Sequence, residues 1–255
     1  MKKYIAAVLM LIMLLSGCGD SNMYTVKIKT DASGNMTKDF YDSEDKKIKR
    51  EFITPEGDVD SVFEYFYNED GLLIKCAYGY EGYSQTTEYA YDADGNNVSA
   101  VMSDSDGYTS SLEYTYDENR NKTKTTVKNS DGQDYTINYT YNNEGKLIKE
   151  KQTTSKGNNY VSVYTYDENG NNIKKETTDL TGYSSIIEMT YDEKGNIITE
   201  KKISSHLNGL SEKETVKVYT YDKNNNLIKE EQTDPEGNKR IEEYTYTQEK
   251  VKELE

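Results

Sequence analysis

The sequence predicts an all-β protein: an antiparallel β-meander of about 25-residue two-strand repeats, forming a curled single sheet (spiral, trough or barrel-like). Three observations predict it. A Tyr-Xaa-Tyr-Asp-type element recurs with its second aromatic at Tyr41, Tyr67, Tyr91, Tyr116, Tyr141, Tyr166, Tyr191, Tyr221 and Tyr246, at spacings of 26, 24, 25, 25, 25, 25, 30 and 25 residues. Two glycine marks follow these anchors, the first four residues on and the second sixteen on. Between the marks, polar residues alternate with Tyr, Ile, Val and Thr, the residue types that fit a pleated surface.

Taken in order, the chain opens with Met1-Lys2-Lys3, an apolar run from Ile5 to Leu15, and Leu15-Ser16-Gly17-Cys18. A basic start, an apolar run too short to span a bilayer and a small-residue end make a secretory signal over residues 1–17. Residues 18–23 read as a short tether headed by Cys18, and residues 24–255 as the repeat domain, whose first strand is expected over Tyr24–Lys29 with a turn at Asp31–Asn35.

Within each repeat the first glycine mark is Gly71, Gly95, Gly145, Gly170 or Gly195, replaced by Asp45, Arg120 and Asn225 in other copies. The second is Gly57, Gly107, Gly132, Gly157, Gly182 or Gly237; Gly82 falls one residue early and the long copy carries Gly209. Glycine supplies the positive φ of a tight turn, Asn and Asp tolerate it next best, and Arg120 fits poorly. Pro55 and Pro235 sit where position i+1 of a β-turn is expected. Turns every twelve to thirteen residues leave strands of roughly eight residues, about eighteen in all. Connections this short join antiparallel neighbours.

Side chains alternate across a strand, so each anchor shares a face with the residue two before it: Tyr65, Tyr89, Tyr114, Tyr139, Tyr164, Met189, Tyr219 or Tyr244. A two-residue hairpin centred on Asn169-Gly170 sets Tyr166 opposite Ile173, whereas a three-residue turn with a bulge shifts the pairing by one. The pattern leaves both open. A field of tyrosines on one face of a long flat sheet is unfavourable, and strand twist opposes flatness, so that face is expected to turn inward.

Composition bounds the function. The chain has 255 residues, a net charge of −15, 25 Tyr, 4 Phe, no Trp and only 34% hydrophobic residues. Removing residues 1–17 takes two lysines and no acid, making the balance more negative still. Such a surface repels phosphate backbones and anionic headgroups, so no nucleic acid is expected as a partner. Disorder is rejected because the polar residues are periodic and the chain is rich in aromatics.

Leu15-Ser16-Gly17-Cys18 resembles the lipobox of bacterial lipoproteins. The resemblance implies cleavage before Cys18, lipidation of its thiol, and an extracytoplasmic, lipid-anchored location at the cell surface. Tyr-Xaa-Tyr-Asp-Xaa-Xaa-Gly-Asn-Xaa-Ile, complete at Tyr164–Ile173, resembles the YD repeat of rearrangement-hotspot (RHS) and teneurin-type proteins over residues 41–246. Long members of that family coil an antiparallel sheet into a hollow, tyrosine-lined shell, and some enclose toxins. The resemblance implies that fold and a cell-surface setting. With few copies and no recognisable toxin, capping or self-cleaving segment, the resemblance does not extend to encapsulation of a cargo.

Catalytic constellations are weak, and no enzyme activity and no cofactor are expected. The one histidine, His206, lies in the extra residues of the 30-residue copy, which read as a loop insertion. Cys76 is the only thiol besides Cys18 and reads as a buried, inert residue. Acidic turns such as Asp92–Asn96 and Asp167–Asn171 lack EF-hand spacing and read as hairpin turns rather than metal sites. The tyrosine face is the sharpest candidate for recognition: Tyr89, Tyr91, Tyr114, Tyr116, Tyr139, Tyr141, Tyr164, Tyr166, Tyr219 and Tyr221, whose amphipathic rings suit sugars or extended peptides. The expected function is therefore a non-enzymatic surface lipoprotein, held to the membrane by its N-terminal lipid, that binds an envelope carbohydrate or a protein partner. The alternative is a structural spacer, or an immunity or export partner of a larger repeat toxin, with the tyrosines serving only as core.

Overall fold

The computed structural model describes residues 23–205 and 212–252. Cys18, the signal segment, His206 and Gly209 lie outside the described residues. The elements are β1 (Met23–Thr30), β2 (Met36–Tyr41), β3 (Lys47–Ile53), β4 (Val59–Tyr67), β5 (Leu73–Tyr80), β6 (Tyr83–Tyr91) and β7 (Asn97–Asp104). They continue as β8 (Thr109–Tyr116), β9 (Lys122–Asn129), β10 (Tyr135–Tyr141), β11 (Leu147–Thr154), β12 (Asn159–Tyr166) and β13 (Asn172–Asp179). The last are β14 (Ser184–Tyr191), β15 (Ile197–Ser205), β16 (Lys213–Tyr221), β17 (Leu227–Thr233), β18 (Lys239–Glu243) and β19 (Thr245–Lys252).

The nineteen strands form one antiparallel meander sheet, with no helix among the described residues. Nineteen rather than eighteen arise because the final strand is broken at Tyr244. Its first part, β18, pairs with β17, and its second part, β19, pairs with β1 over Met23–Thr30. The first strand is thus paired on both sides, to β2 and β19. A flat meander leaves its first strand at an open edge, so this pairing is what the expected curl supplies.

The chain divides into two compact units. One holds the chain through Ala90 together with Val101–Thr109 and the segment from Tyr244; the other holds Tyr91–Ala100 and Ser110–Glu243. Neither has a conventional core. The buried apolar side chains are Val26, Ile53, Ala100 and Val127, and no large side chain is fully buried among the described residues. Small hydroxyl residues are buried beside them: Ser61, Ser110, Thr125, Ser162 and Ser185.

The turns resolve the register. In the turn after Tyr166, the Gly170 N–H donates to the Asp167 carbonyl (3.1 Å) and the Asp167 N–H donates to the Asn171 carbonyl (2.9 Å). This is a three-residue turn ending in a left-handed residue, with Gly170 at φ +88°. Thr165 pairs with Lys174 and Tyr166 with Asn172, so Asn172 and Ile173 together oppose one tyrosine across a β-bulge. The same shift occurs at Tyr41, Tyr67, Tyr116, Tyr141, Tyr191 and Tyr221. The two-residue alternative, with Tyr166 opposite Ile173, is therefore not the one adopted.

Aspartate explains the rest of the motif. Asp167 Oδ1 accepts the Asn171 N–H (2.8 Å) and Asp167 Oδ2 accepts the Asn171 side-chain amide (2.9 Å). Asp92–Asn96, Asp117–Asn121, Asp192–Asn196 and Asp222–Asn226 repeat both bonds. Where an amide caps the turn instead, at Asn68 and Asn142, the fifth position is Leu72 or Lys146. These bonds hold the Asp92, Asp117, Asp167, Asp192 and Asp222 carboxyls below the usual value, the Asn side-chain amide being the main cause.

Arg120, which fits the turn poorly by residue type, adopts it all the same, at φ +64°. Its guanidinium lies 3.7 Å from Asp94, an exposed pair of little energetic consequence. Replacing Arg120 with Gly is expected to stabilise the protein by roughly 0.5–1 kcal/mol, the left-handed penalty less the entropy of glycine. Gly170→Ala is expected to destabilise it by roughly 1–2 kcal/mol. Urea unfolding followed by far-UV circular dichroism measures both, and equal midpoints for the two variants contradict the turn assignment.

Candidate functional site

The two faces of the strands differ in exposure. The residues beside the anchors from Tyr91 on, Ala90, Thr115, Thr140, Thr165, Thr190, Thr220 and Thr245, are exposed, as are Glu88, Glu113, Glu188 and Glu243 two positions earlier, whereas Phe40 and Phe66 beside the first two anchors are half-buried. On the other face the anchors from Tyr41 to Tyr221, and Tyr65, Tyr89, Tyr114, Tyr139, Tyr164, Met189, Tyr219 and Tyr244, are half-buried. The shared aromatic face is thus present, and it is neither sealed nor freely open.

The anchor hydroxyls are spent within the fold. Tyr67 donates to the Lys47 carbonyl (2.8 Å), Tyr116 to Asn97 (2.6 Å) and Tyr141 to Lys122 (2.8 Å). Tyr166 donates to Leu147 (2.7 Å), Tyr191 to Asn172 (2.7 Å) and Tyr221 to Ile197 (3.1 Å). In every case the acceptor lies six residues after the preceding anchor, which for all but Asn97 is a described bulge position. The strand geometry explains why it is available. The ladder between β11 and β12 ends at Lys149–Val163, two residues short of Leu147. The ladders of β3 with β4, β9 with β10, β13 with β14 and β15 with β16 end at the equivalent pair. A carbonyl left beyond the ladder needs a donor, and the phenol of the next repeat reaches it.

The residues two before each anchor have different surroundings. In register they face Arg50, Cys76, Thr125, Glu150, Lys175, Glu200 and Glu230, opposite Asp39, Tyr65, Tyr114, Tyr139, Tyr164, Met189 and Tyr219 respectively. Tyr139 shares a hydrogen bond with Thr125 Oγ1 (3.0 Å) and Tyr164 donates to Glu150 Oε2 (2.7 Å). Lys122 Nζ lies 4.1 Å from the Tyr114 ring centre and Lys175 Nζ 5.1 Å from that of Tyr164. Lys217 pairs with Glu230 at 2.8 Å. Burial, and then Glu150, push the Tyr164 phenol well above its ordinary value. In the first repeat Asp39 replaces tyrosine and forms a two-pronged pair with Arg50 (2.6 and 2.8 Å).

The ten candidate tyrosines therefore fall into three groups. Tyr116, Tyr141, Tyr166 and Tyr221 stitch repeats together, which alternation along the strand could not reveal. Tyr139, Tyr164 and Tyr219 lie amid polar and charged side chains of the same face. Tyr89, Tyr91 and Tyr114 are half-buried and make bonds or contacts of their own. Cys76 is half-buried opposite Tyr65, and burial pushes its thiol up, as expected of an inert cysteine.

One aromatic grouping lies outside the candidates. Phe63 and Tyr78 approach to 4.4 Å between ring centres, Tyr78 and Tyr80 to 5.8 Å, and Tyr80 stacks on Tyr83 at 5.1 Å. It is built around the turn Glu81-Gly82, where Tyr80 pairs directly with Tyr83 and the usual three-residue turn is shortened. The early glycine was its only trace in the pattern.

No family model matches the chain, and no curated protein matches it. Among solved structures, the chain is similar to one described as "TcdB2-TccC3", at 13% identity and a TM-score of 0.45 over 78% of this chain. The chain spans 13% of the length of that protein. It is also similar to a porin-like protein from Bacteroides uniformis, at 13% identity and a TM-score of 0.44, over 91% of this chain and 99% of the other. At this level of likeness neither carries a function across.

Tyr141→Phe removes the bond to the Lys122 carbonyl without changing shape, and is expected to cost about 1 kcal/mol in urea unfolding. Stability is also expected to fall on the alkaline side. Burial first, then nearby charges, raise the phenols of Tyr67, Tyr116, Tyr141, Tyr191 and Tyr221 above the ordinary value of 10.0. The folded state thus favours the protonated phenol. Its contribution is complete below pH 10 and is lost as pH rises from there through the raised values. A chemical-unfolding midpoint that stays flat between pH 9 and 11 contradicts this.

Proposed function

We propose that the protein is a non-enzymatic, lipid-anchored cell-surface protein of the YD-repeat type. Its sheet binds an envelope polymer, a glycan, or a protein partner through the tyrosines two before the anchors. The observation that carries the reading is the company these tyrosines keep. Tyr139, Tyr164 and Tyr219 share a half-buried face, and stand in register, with Glu150, Lys175 and Glu230. A face meant only as core excludes ionised side chains, because their desolvation is costly. A face that meets water and a polar ligand accommodates them, and tyrosine offers such a ligand both a ring and a hydroxyl.

Membrane attachment is assigned to Cys18 rather than to the strands. The more exposed face carries Glu88, Glu113, Lys149, Lys151 and Glu188, whereas a bilayer-spanning barrel turns an apolar band outward. The spacer or toxin-partner reading, with the tyrosines as core, is favoured by the anchor hydroxyls, all engaged where a bond is described. The two readings therefore divide over different tyrosines.

The test compares Tyr139→Ala/Tyr164→Ala with wild type for retention on isolated bacterial cell-wall sacculi. Circular dichroism checks the fold. The expected outcome is a loss of about tenfold in affinity with the sheet signal intact. Unchanged retention, or no retention of the wild type, refutes glycan recognition by this face.

A further inference from the structure

We propose that Tyr78, Tyr80 and Tyr83 form a binding site for a small organic cation of the quaternary-ammonium type. The site is independent of the glycan reading, which uses other tyrosines. Three observations carry it.

The first is departure from the repeat. At the position of Tyr80, thirteen residues after an anchor, other copies place the turn-capping residue: Thr54, Asp104, Asn129, Thr154, Asp179 or Asp234. Several of these hold their turns through side-chain or backbone bonds, as Asp104, Thr154, Asp179 and Asp234 do. Here the cap is given up and the turn shortened, and an aromatic pair, Tyr80 on Tyr83, takes its place. Tyr80 is left 49% exposed.

The second is the geometry of the rings. Tyr78 lies 5.8 Å from Tyr80 and 6.4 Å from Tyr83, the latter edge-on, while Tyr80 and Tyr83 are 5.1 Å apart. All three stem from one face, since Tyr78 and Tyr80 are two apart on β5 and Tyr83 pairs with Tyr80. Neighbouring ring faces carry negative quadrupole, which attracts a cation within about 6 Å of a ring centre.

The third is charge. Elsewhere the protein lays its own cations on its rings: Lys27 on Tyr41 (4.3 Å), Lys29 on Tyr244 (3.4 Å), Lys122 on Tyr114 (4.1 Å) and Lys175 on Tyr164 (5.1 Å). Among the described residues no Lys or Arg stands over Tyr78, Tyr80 or Tyr83. Carboxylates border them instead. The Tyr83 hydroxyl meets Asp104 Oδ2 and Gln85 Oε1, each at 3.3 Å, and exposed Glu81 forms the turn itself. Burial, and then Asp104 and Asp106, push the Tyr83 phenol up, consistent with a negative surround. The exposed Tyr80 ring, bordered by acids, complements a diffuse positive charge, and its surround repels phosphate and carboxylate.

The test titrates the full chain with choline chloride and, separately, with its neutral isostere 3,3-dimethyl-1-butanol, following the tyrosine ring resonances by NMR. Choline is expected to bind at least roughly fivefold more tightly than the isostere. Tyr80→Phe is expected to retain this preference and Tyr80→Leu to lose it. Asp104→Asn, which keeps a turn cap of the kind used at Asn68 and Asn142, is expected to weaken it. Equal binding of choline and the isostere, no binding of either, or full choline affinity in Tyr80→Leu overturns the proposal. The wild-type comparison decides even if a variant fails to fold. Sedimentation with phosphatidylcholine vesicles separates the sources of the cation. Co-sedimentation that requires Tyr80 identifies a lipid headgroup, and choline binding without co-sedimentation identifies a soluble or polymer-borne ligand.

Discussion

A single hydrogen bond, made by six of the anchor tyrosines, governs how this sheet is put together: the phenol donates to the carbonyl six residues after the preceding anchor. The bulge follows from the three-residue turn. It takes two residues to oppose one tyrosine, and the ladder to the next strand then stops two residues early. Without the phenol, the Leu147 carbonyl would face a half-buried gap. Tyr166 closes it at 2.7 Å. Phenylalanine would fill the same space without a donor, and serine would have the donor without the reach. This accounts for tyrosine, rather than any aromatic, at the anchor.

From that bond the rest of the repeating motif follows. The left-handed residue makes the turn, so Gly170 is glycine and Asn225 is a tolerated substitute at φ +69°. The aspartate after the tyrosine accepts the N–H groups of that turn, and the Asn after the glycine fills its second oxygen. Each part of Tyr-Asp-Xaa-Xaa-Gly-Asn is occupied by a structural task. The same occupation explains why the acidic turns read as turns: the Asp167 and Asp192 oxygens are committed to amides of their own loops.

The period, strand direction, left-handed positions and shared tyrosine face were all legible in the sequence because each is a local constraint. Glycine spacing reports φ, and alternation reports the side of the strand. The register was not legible. Asn172 or Ile173 opposite Tyr166 depends on whether two or three residues close the turn, and Asn169-Gly170 suits either. The phenol-to-carbonyl bonds were hidden for another reason: Tyr141 and Lys122 are nineteen residues apart and on different strands, so no window along the chain joins them. The break at Tyr244 was equally invisible, since it reflects which neighbour each half of the strand meets.

A motif consumed by its own architecture redirects the search for function. The positions that recur most faithfully are those least available to a ligand, because substituting them costs the sheet its inter-repeat bonds. What varies against that constant frame is free to differ: the residue opposite the position two before each anchor runs Arg50, Cys76, Thr125, Glu150, Lys175, Glu200, Glu230. The turn that should carry a cap carries Tyr80 instead. A scaffold held by backbone carbonyls and phenols places few demands on those side chains, and the small or medium apolar residues buried among the described residues, Val26, Ile53, Ala100 and Val127, do not compel them either. Recognition chemistry therefore belongs at the departures from the repeat, where stability has not already assigned the residue.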